Sequence, residues 1–389
     1  MKEEDYELWR ITVTWMVRIL VGGLFIFSGF VKAVDPWGTL FKIEEYLGAF
    51  GFALPFMLTR LIVFALCSVE FVVGVFVMIG CYRRTSPLFA GLIMMFMLPL
   101  SLWIAVEDPV ADCGCFGDAW HVSNWFTFWK NIILVAGIAW LIRFNKIAIC
   151  LITPAFQWLA VVFSGVFIVL IELIGFFYQP LIDFRDFPVG SSLFATDEED
   201  GLDVFDPETA DDLTEYASQP DGEELIVMIP KVSMVSPATT WKLNTLYEWA
   251  LSHDVKMIAV VSGSQEEIKQ WEDLSMASYP IFLADDSAIK TIVRGNPGVV
   301  FLKNGKILWK STLGAIDPDE IEPDPETPED FSNDYITVRH LQPELDNILE
   351  RSSILYLIGM AFLVMISFTP RLARLMTRSG LASKRGIRN

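Results

Sequence analysis

Long apolar runs alternate with short polar turns through the first 180 or so residues, and this pattern sets the architecture before any local motif is considered. Segments 11–31, 61–80, 88–106, 125–142 and 154–178 each approach or exceed the ~20 mostly apolar residues that a helix needs to cross a bilayer core. A sixth run, 354–368, is shorter, but its apolar character continues through Met360 and Phe362 toward Pro370. Between the fifth and sixth runs the period changes. Short β-type runs at 225–229, 256–261, 281–283, 298–302 and 307–310 alternate with helical spacing at 237–251, 265–274 and 286–293. Asn304-Gly305 lies between the last two strands and marks a hairpin turn. The pattern predicts an α-helical polytopic membrane protein with an inserted α/β soluble domain.

Composition sharpens that picture. The chain is 53% hydrophobic and only 20% charged, with a mean hydropathy of +0.44. These values exclude a disordered or collagen-like chain, and five cysteines are too few for a disulfide-dense miniprotein. The net charge of −19 argues against a nucleic-acid partner. Charge is unevenly spread: residues 181–350 hold 35 acidic and 11 basic side chains, and the rest of the chain holds 13 and 18. The soluble insert is therefore strongly acidic, and the apolar body slightly basic.

Basic residues also set the expected orientation, because they collect in cytoplasmic loops. Arg83 and Arg84 follow the second run, Arg143 and Lys146 the fourth, and Arg371, Arg374, Arg378, Lys384, Arg385 and Arg388 the sixth. Alternating spans put all three segments on one side. Both termini are then cytoplasmic, the first span is an uncleaved helix, and the loops 34–55 and 107–124 face outward with the acidic domain. The expected setting is a bacterial inner membrane with the soluble domain in the periplasm. The expected organisation is a four-helix bundle at 1–150, a fifth helix at 151–180 and an acidic linker at 181–224. The α/β domain follows at 225–315, then a second acidic linker with a short helix at 316–352, a sixth helix at 353–370 and a basic tail at 371–389. The acidic runs 196–224 and 317–330 read as loop-rich, solvated surface.

Five cysteines divide by environment. Cys81 and Cys150 fall at cytoplasmic ends of spans, where thiols stay reduced, and Cys67 reads as a small apolar filler within the second span. Cys113 and Cys115 stand apart, in Asp112-Cys113-Gly114-Cys115-Phe116-Gly117-Asp118 on an outward loop where disulfides are permitted. A glycine between two cysteines allows a tight, strained and hence readily reduced bond, suited to exchange chemistry. The same spacing also fits a structural loop pin or two free thiols. A zinc site is poorly supported, with only His121 nearby. No second cysteine pair is evident from which electrons could pass onward.

Two ionisable residues lie inside apolar runs, where they are costly and mark pairing or function. Arg18 in the first span and Glu70 in the second both fall roughly 12–15 Å deep at about 1.5 Å per residue. An Arg18–Glu70 pair across adjacent antiparallel helices is expected, as a structural ion pair, a proton relay or a headgroup site. Cys67 shares the Glu70 face. Glu172, near the outer end of the fifth span, is expected to snorkel to the interface.

The motif Asp112-Cys113-Gly114-Cys115-Phe116-Gly117, with Arg18, Gly22, Phe27-Ser28-Gly29, Lys32, Asp35-Pro36, Glu70 and Gly74, resembles the MauE (methylamine utilisation) branch of the DoxX-like superfamily over about residues 11–142. The resemblance implies a four-helix membrane bundle with a thiol-redox role, with Cys113 and Cys115 as the catalytic pair. It also implies service to a disulfide-rich partner outside the cytoplasm. No cofactor is evident, and a quinone is one electron acceptor that the resemblance suggests.

Residues 225–314 resemble a thioredoxin fold, carried by Asn296-Pro297-Gly298-Val299-Val300-Phe301-Leu302 and Asn304-Gly305. The resemblance implies that Pro297 follows a cis peptide bond. At the place of the family's Cys-x-x-Cys this chain has Ser233-Met234-Val235-Ser236, so the domain supplies no thiolate of its own. Two functions follow as expectations. One is a membrane component of thiol–disulfide maturation whose cysteine-free domain binds a protein partner. The other is a non-enzymatic envelope scaffold that uses the acidic domain for protein–protein contacts. A transporter ranks third, because no internal repeat is apparent. The linker 183–190 is expected to pack at the membrane surface.

Overall fold

A computed structural model describes residues 3–110, 113–120, 122–194, 201–217, 222–316 and 347–368. Asp112, His121, the acid–proline run 317–330 and the basic tail 371–389 lie outside the described residues. The chain divides into two compact units, Met1–Glu172 with Ile348–Asn389, and Leu173–Asn347.

In the first unit, α1 (Glu3–Val34), α3 (Phe56–Ile79), α4 (Thr85–Glu107) and α5 (Asn124–Phe144) form a bundle, with a shorter α2 (Pro36–Ala49) between α1 and α3. α6 (Gln157–Phe177) follows. Helices α1 and α3 approach at backbone distance because glycines line their seam. A Cβ added to Gly22 would fall 2.7 Å from Met78 N, one on Gly29 2.5 Å from Phe71 N, and one on Gly74 2.6 Å from Ile26 N. Small residues at a membrane helix interface permit this approach, where van der Waals packing replaces the hydrophobic drive. The three glycine contacts set one antiparallel register: residue 22 lies beside residues 74 and 78, and residue 29 beside residues 67 and 71.

The segment between the first two spans, expected as a loop, contains α2. Asp35 caps it by accepting from Gly38 N at 3.0 Å, and Pro36 occupies its first turn. Trp37 and Leu40 are buried beneath it.

In the second unit, α7 (Thr214–Ala217), β1 (Glu223–Ile229), α8 (Pro237–Ser252), β2 (Lys256–Val261), α9 (Gln265–Ser275), β3 (Ile281–Leu283), α10 (Asp286–Ile292), β4 (Gly298–Lys303) and β5 (Lys306–Thr312) follow in order. The sheet order is β3-β2-β1-β4-β5, with β1, β2 and β3 parallel and β4 antiparallel to both β1 and β5. Side chains of β1 alternate between the two faces. Leu225, Val227 and Ile229 join Leu243, Leu246, Trp249, Ile268 and Trp271 of α8 and α9, whereas Ile226 and Met228 join Ile289 and Ile292 of α10. This is the thioredoxin-like arrangement expected from the sequence, and the Asn296–Pro297 bond is cis.

The acidic stretch 181–224 differs from the expected loop-rich linker. Among its described residues, Leu193, Phe194, Leu202 and Val204 are buried in the second core. Phe205 exchanges two backbone hydrogen bonds of 2.7 Å with Leu283 at one sheet edge, while Gly190 N donates to Ile307 O at 2.7 Å at the other. Both edges of the sheet are thus covered by the chain that leads into it. The aromatic-basic segment joins the same body: Arg185 donates to Ile292 O at 3.0 Å, and Lys310 to Phe187 O at 2.6 Å. The acid count was visible, but Leu193, Phe194, Leu202 and Val204 among those acids are what join the core.

α11 (Asn347–Phe368) is the last of six helices long and apolar enough to span a membrane among the described residues. Tyr356 stacks on Phe167 with centroids 4.5 Å apart, and its hydroxyl lies 3.0 Å from Ser164 Oγ.

Candidate functional site

The cysteine loop is held by its own turn and by the helices beneath it. Gly114 (φ +57°) and Gly117 (φ +52°) adopt left-handed conformations, and Gly117 N donates to Gly114 O at 3.1 Å, closing a tight turn around Cys115. A Cβ on Gly114 would also crowd Lys42 Cγ at 3.1 Å. Asn124, at the start of α5, donates to Asp108 Oδ1 at 2.8 Å and Val110 O at 3.2 Å, latching the loop's entry to its exit. The Tyr46 hydroxyl of α2 donates to the Cys113 carbonyl. Phe116 is wedged inward between Phe27 and Trp120, at 5.4 and 5.7 Å between centroids.

This scaffold places Cys113 Sγ and Cys115 Sγ 2.9 Å apart, both as free thiols. Cys113 is buried against Ile104 and Val110, and Cys115 is half-buried. Their environments push the two thiols apart. Cys115 is lowered to about 6, first by the hydrogen bond from Cys113 and then, against the cost of burial, by the nearby Lys130 and Lys32 ammonium groups. Cys113 is raised by donating that hydrogen bond and by its burial. The arrangement favours the thiolate at Cys115 over Cys113.

Directly below lies a buried polar network. Lys32 Nζ is 2.7 Å from Glu70 Oε2 and donates to Ser28 Oγ at 3.0 Å. Ser28 Oγ lies 2.8 Å from Glu70 Oε1 and 2.7 Å from the Cys115 carbonyl oxygen. The network joins α1 and α3 to the peptide that carries the thiol. A narrow cleft of about 30 Å³ lies beside it, lined by Cys115, Lys32, Glu70, Lys130 and Asn131 on its polar side and by apolar groups such as Met94 and Met97 elsewhere. Lys130 Nζ sits 4.5 Å from the Phe116 ring centroid.

Several expectations need correction. Glu70 pairs with Lys32, not with Arg18. Arg18 lies at the middle of α1, fourteen residues before Lys32, where it donates to Asn145 Oδ1 at 2.7 Å, Asn145 O at 2.8 Å, Ala148 O at 3.3 Å and Ile149 O at 2.7 Å. The depth estimate counted from hydrophobic ends and overlooked register. Residues 22 and 74 are level, so Glu70 faces residue 28 and Arg18 faces Gly80, against which its guanidinium rests. Glu172 does not snorkel: it is fully buried and accepts from Ser68 Oγ at 3.0 Å. Cys67 is fully buried one turn from Glu70 and is not among the residues lining the cleft.

Tyr46 and Lys130 were not singled out by sequence, and Ser28 and Lys32 appeared only among the residues that carry the family resemblance, with no role in the site. Lys32 left a further signal, as a cation near the end of an apolar run on the helix opposite Glu70. A second sulfur pair was also missed: Cys150 Sγ and Cys81 Sγ are 4.0 Å apart, although the residues are distant in sequence.

In the α/β domain, Ser236 occupies the cap of α8 and accepts from Thr239 N at 3.2 Å, the place where a thioredoxin thiol would sit. Asn296 ties the cis-proline loop to the segment before it, accepting from Lys231 N at 3.1 Å and donating to Lys231 O at 2.9 Å. Pro297 and the Cys113–Cys115 loop belong to different units.

Comparison with curated proteins finds no match. Among solved structures, a thiol peroxidase from Chromobacterium violaceum is similar at 16% identity and a TM-score of 0.25, covering 32% of this chain and 77% of that one. Residues 10–144, the segment that carries the cysteine loop, α1 and the Lys32–Glu70 pair, match the family model of methylamine utilisation protein MauE.

Proposed function

We propose that this chain is a membrane component of thiol–disulfide exchange in which Cys113 and Cys115 cycle between disulfide and dithiol. The observation that carries the reading is the placement of two thiols 2.9 Å apart, the half-exposed one over a buried lysine–glutamate pair and beside a cleft. A structural pin needs no cations around Cys115.

The oxidising step balances as follows. A substrate thiolate attacks Cys115 Sγ of the disulfide, and Cys113 leaves as a thiolate and takes a proton. A second substrate thiolate then attacks the substrate sulfur of the mixed disulfide, releasing Cys115 as a thiolate. Two substrate thiols become a disulfide, and the protein's disulfide becomes a dithiol. Cys115 suits the final departure because a thiol of low pKa is the better leaving group. Lys32 and Lys130 stabilise the charge it then carries, and Glu70 keeps Lys32 in place.

Regenerating the disulfide requires a two-electron acceptor. A quinone dissolved in the bilayer would take up those two electrons and two protons, but the cleft beside Cys115 holds only about 30 Å³ and does not admit its ring, and Asn131 already donates to Ser101 Oγ at 3.0 Å. In this reading the loop faces the periplasmic side of a bacterial inner membrane, and the substrate is an exported protein rich in cysteines. The thioredoxin-like domain positions that partner without chemistry of its own, since Ser233 and Ser236 stand where thiols would be. That same serine pair favours the second reading, a scaffold in which the domain binds a partner and the bundle anchors it.

Acid quenching and alkylation in intact cells test the choice. Mixed disulfides on Cys115 should be trapped in the unsubstituted chain and disappear in Cys113→Ser and in the double serine variant. No adducts, together with unchanged maturation of the partner in the double variant, would leave the scaffold reading.

A further inference from the structure

Cys81 and Cys150 come from turns at the end of the bundle opposite the Cys113–Cys115 loop, and an unusual amount of buried polar structure holds them together. Cys81 follows Gly80, the left-handed cap of α3 (φ +73°), and its N–H donates to Phe76 O at 2.9 Å while its carbonyl accepts from Ser86 Oγ at 2.9 Å. Cys150 lies in the connection from α5 to α6. Leu151 N donates to Ile79 O at 3.0 Å, which ties that connection to the end of α3. Gln157 Nε2 donates to Cys150 Sγ at 3.3 Å and Ile152 O at 3.3 Å, while its Oε1 accepts from Tyr82 N at 3.2 Å. The fully buried Arg18 grips the carbonyls of residues 145, 148 and 149 and rests on Gly80, so one side chain sets the position of both turns.

Two thiols serving only as apolar filler would need none of this. Arg18 and Gln157 together hold the two sulfurs at 4.0 Å, in contact and about 2 Å from bonding distance. Both sulfurs are buried, and their sequence neighbours Tyr82 and Ile149 are exposed. The surrounding rim is basic, with Arg84, Arg143 and Lys146 exposed and Arg83 donating to Lys146 O at 3.3 Å.

We propose that Cys81 and Cys150 form a second dithiol–disulfide couple, which exchanges with a small anionic disulfide of the glutathione type. Cys150 is the attacking thiol. Its thiolate attacks one sulfur of the incoming disulfide, whose other half leaves as a thiolate and is protonated. Cys81 then gives up its proton and attacks Cys150 Sγ, displacing the remaining half as a second thiolate. The two protein thiols are oxidised to one disulfide, and the external disulfide is reduced to two thiols. The reverse sequence reduces the pair. Contact with Cys81, then Ile152, Arg83 and Gln157, lowers Cys150 to about 6, whereas Cys81 is raised. The Cys150 thiol donates to Ile152 O at 2.8 Å and toward Cys81 Sγ at 4.0 Å, and it gives up that proton before it attacks. The basic rim favours an anionic partner.

The test uses the full chain in detergent micelles, with Cys67→Ala, Cys113→Ser and Cys115→Ser leaving only the two thiols of interest. After equilibration with glutathione and glutathione disulfide at varied ratios, acid quenching and maleimide labelling should show both thiols disappearing together along one two-electron curve. Adding Cys81→Ser should trap one glutathione on Cys150, and adding Cys150→Ser should trap far less on Cys81. In the unsubstituted chain, proteolysis and mass spectrometry should recover a linked pair of peptides containing Cys81 and Cys150, which guards against misfolding of the variants. Persistence of both free thiols in excess glutathione disulfide, or independent glutathione adducts with no linked peptide, would overturn the proposal. The experiment leaves the Cys113–Cys115 reading untouched, because that pair is absent from the variant.

Discussion

Lys32 Nζ and Glu70 Oε2 lie 2.7 Å apart, with only 6% and 9% of their side chains exposed, between two helices whose backbones touch through glycine. Ser28 connects this pair to the Cys115 carbonyl, so the charge pair and the thiol share one rigid support.

Removing one partner should cost more than removing both. Lys32→Ala strands a buried carboxylate, and a loss of about 3–5 kcal/mol is expected for breaking such a pair. Lys32→Met combined with Glu70→Leu removes both charges and should recover most of that stability, though with slower alkylation of Cys115. Thermal unfolding in micelles and the rate of iodoacetamide labelling separate the two effects. Equal destabilisation by the single and double variants would contradict the pairing.

Cys115 should label with an apparent pKa of about 6, well below that of an ordinary thiol. Its largest support is the hydrogen bond from Cys113, so Cys113→Ala should move the labelling profile upward in pH, with a slower rate at neutral pH. Mass spectrometry of alkylated peptides between pH 5 and 9 reads the shift. A profile unchanged by Cys113→Ala would show that the lysines alone set the thiolate.

The sequence made some of this legible and hid the rest for identifiable reasons. Six apolar runs revealed the spans because bilayer thickness imposes a length, and the strand–helix alternation with Asn296-Pro297 revealed the sheet domain. The Cys-Gly-Cys spacing exposed the first sulfur pair because it is local. Cys81 and Cys150 meet only through the packing of two turns, which no spacing records. Arg18 was misassigned to Glu70 because depth alone does not give register. The glycines at 22, 29 and 74, read together, hold the missing information. Helix α2 was hidden by its polar residues, although Asp35-Pro36 is a cap followed by a first-turn proline.

Arg18 and Gly80 form a second test of that register. A Cβ at position 80 would lie 2.5 Å from Arg18 Nη1, and its φ of +73° already disfavours a side chain. Gly80→Ala should therefore destabilise the chain by roughly 1–3 kcal/mol through backbone strain and displacement of the guanidinium. Arg18→Lys should cost at least about 2 kcal/mol, because an ammonium cannot reach four acceptors arranged around a planar fork. Both variants should speed labelling of Cys150 in micelles, since Arg18 holds the carbonyls beside it. Gly80→Ala with native melting and native Cys150 labelling would sink this account.

The acidic domain carries its own pH signature at Asp183. Burial opposes its charge, but Arg185 Nη2 at 2.9 Å and Lys310 Nζ at 2.7 Å from Oδ2 hold it down to about 2, from an ordinary value of 3.8. A carboxylate depressed by folding stabilises the native state fully above its unfolded pKa, and that contribution fades as pH falls from 3.8 toward 2. Solvent reaches one side of Asp183, with 28% of its side chain exposed, so screening limits the contribution to about 1–2 kcal/mol. Asp183→Asn should lower stability at neutral pH by that amount and flatten the acid limb below about pH 4. Tryptophan fluorescence followed through urea unfolding at several pH values measures both, with Trp249, Trp271 and Trp309 reporting from the domain. An Asp183→Asn variant that keeps the full acid dependence would assign the effect to other carboxylates.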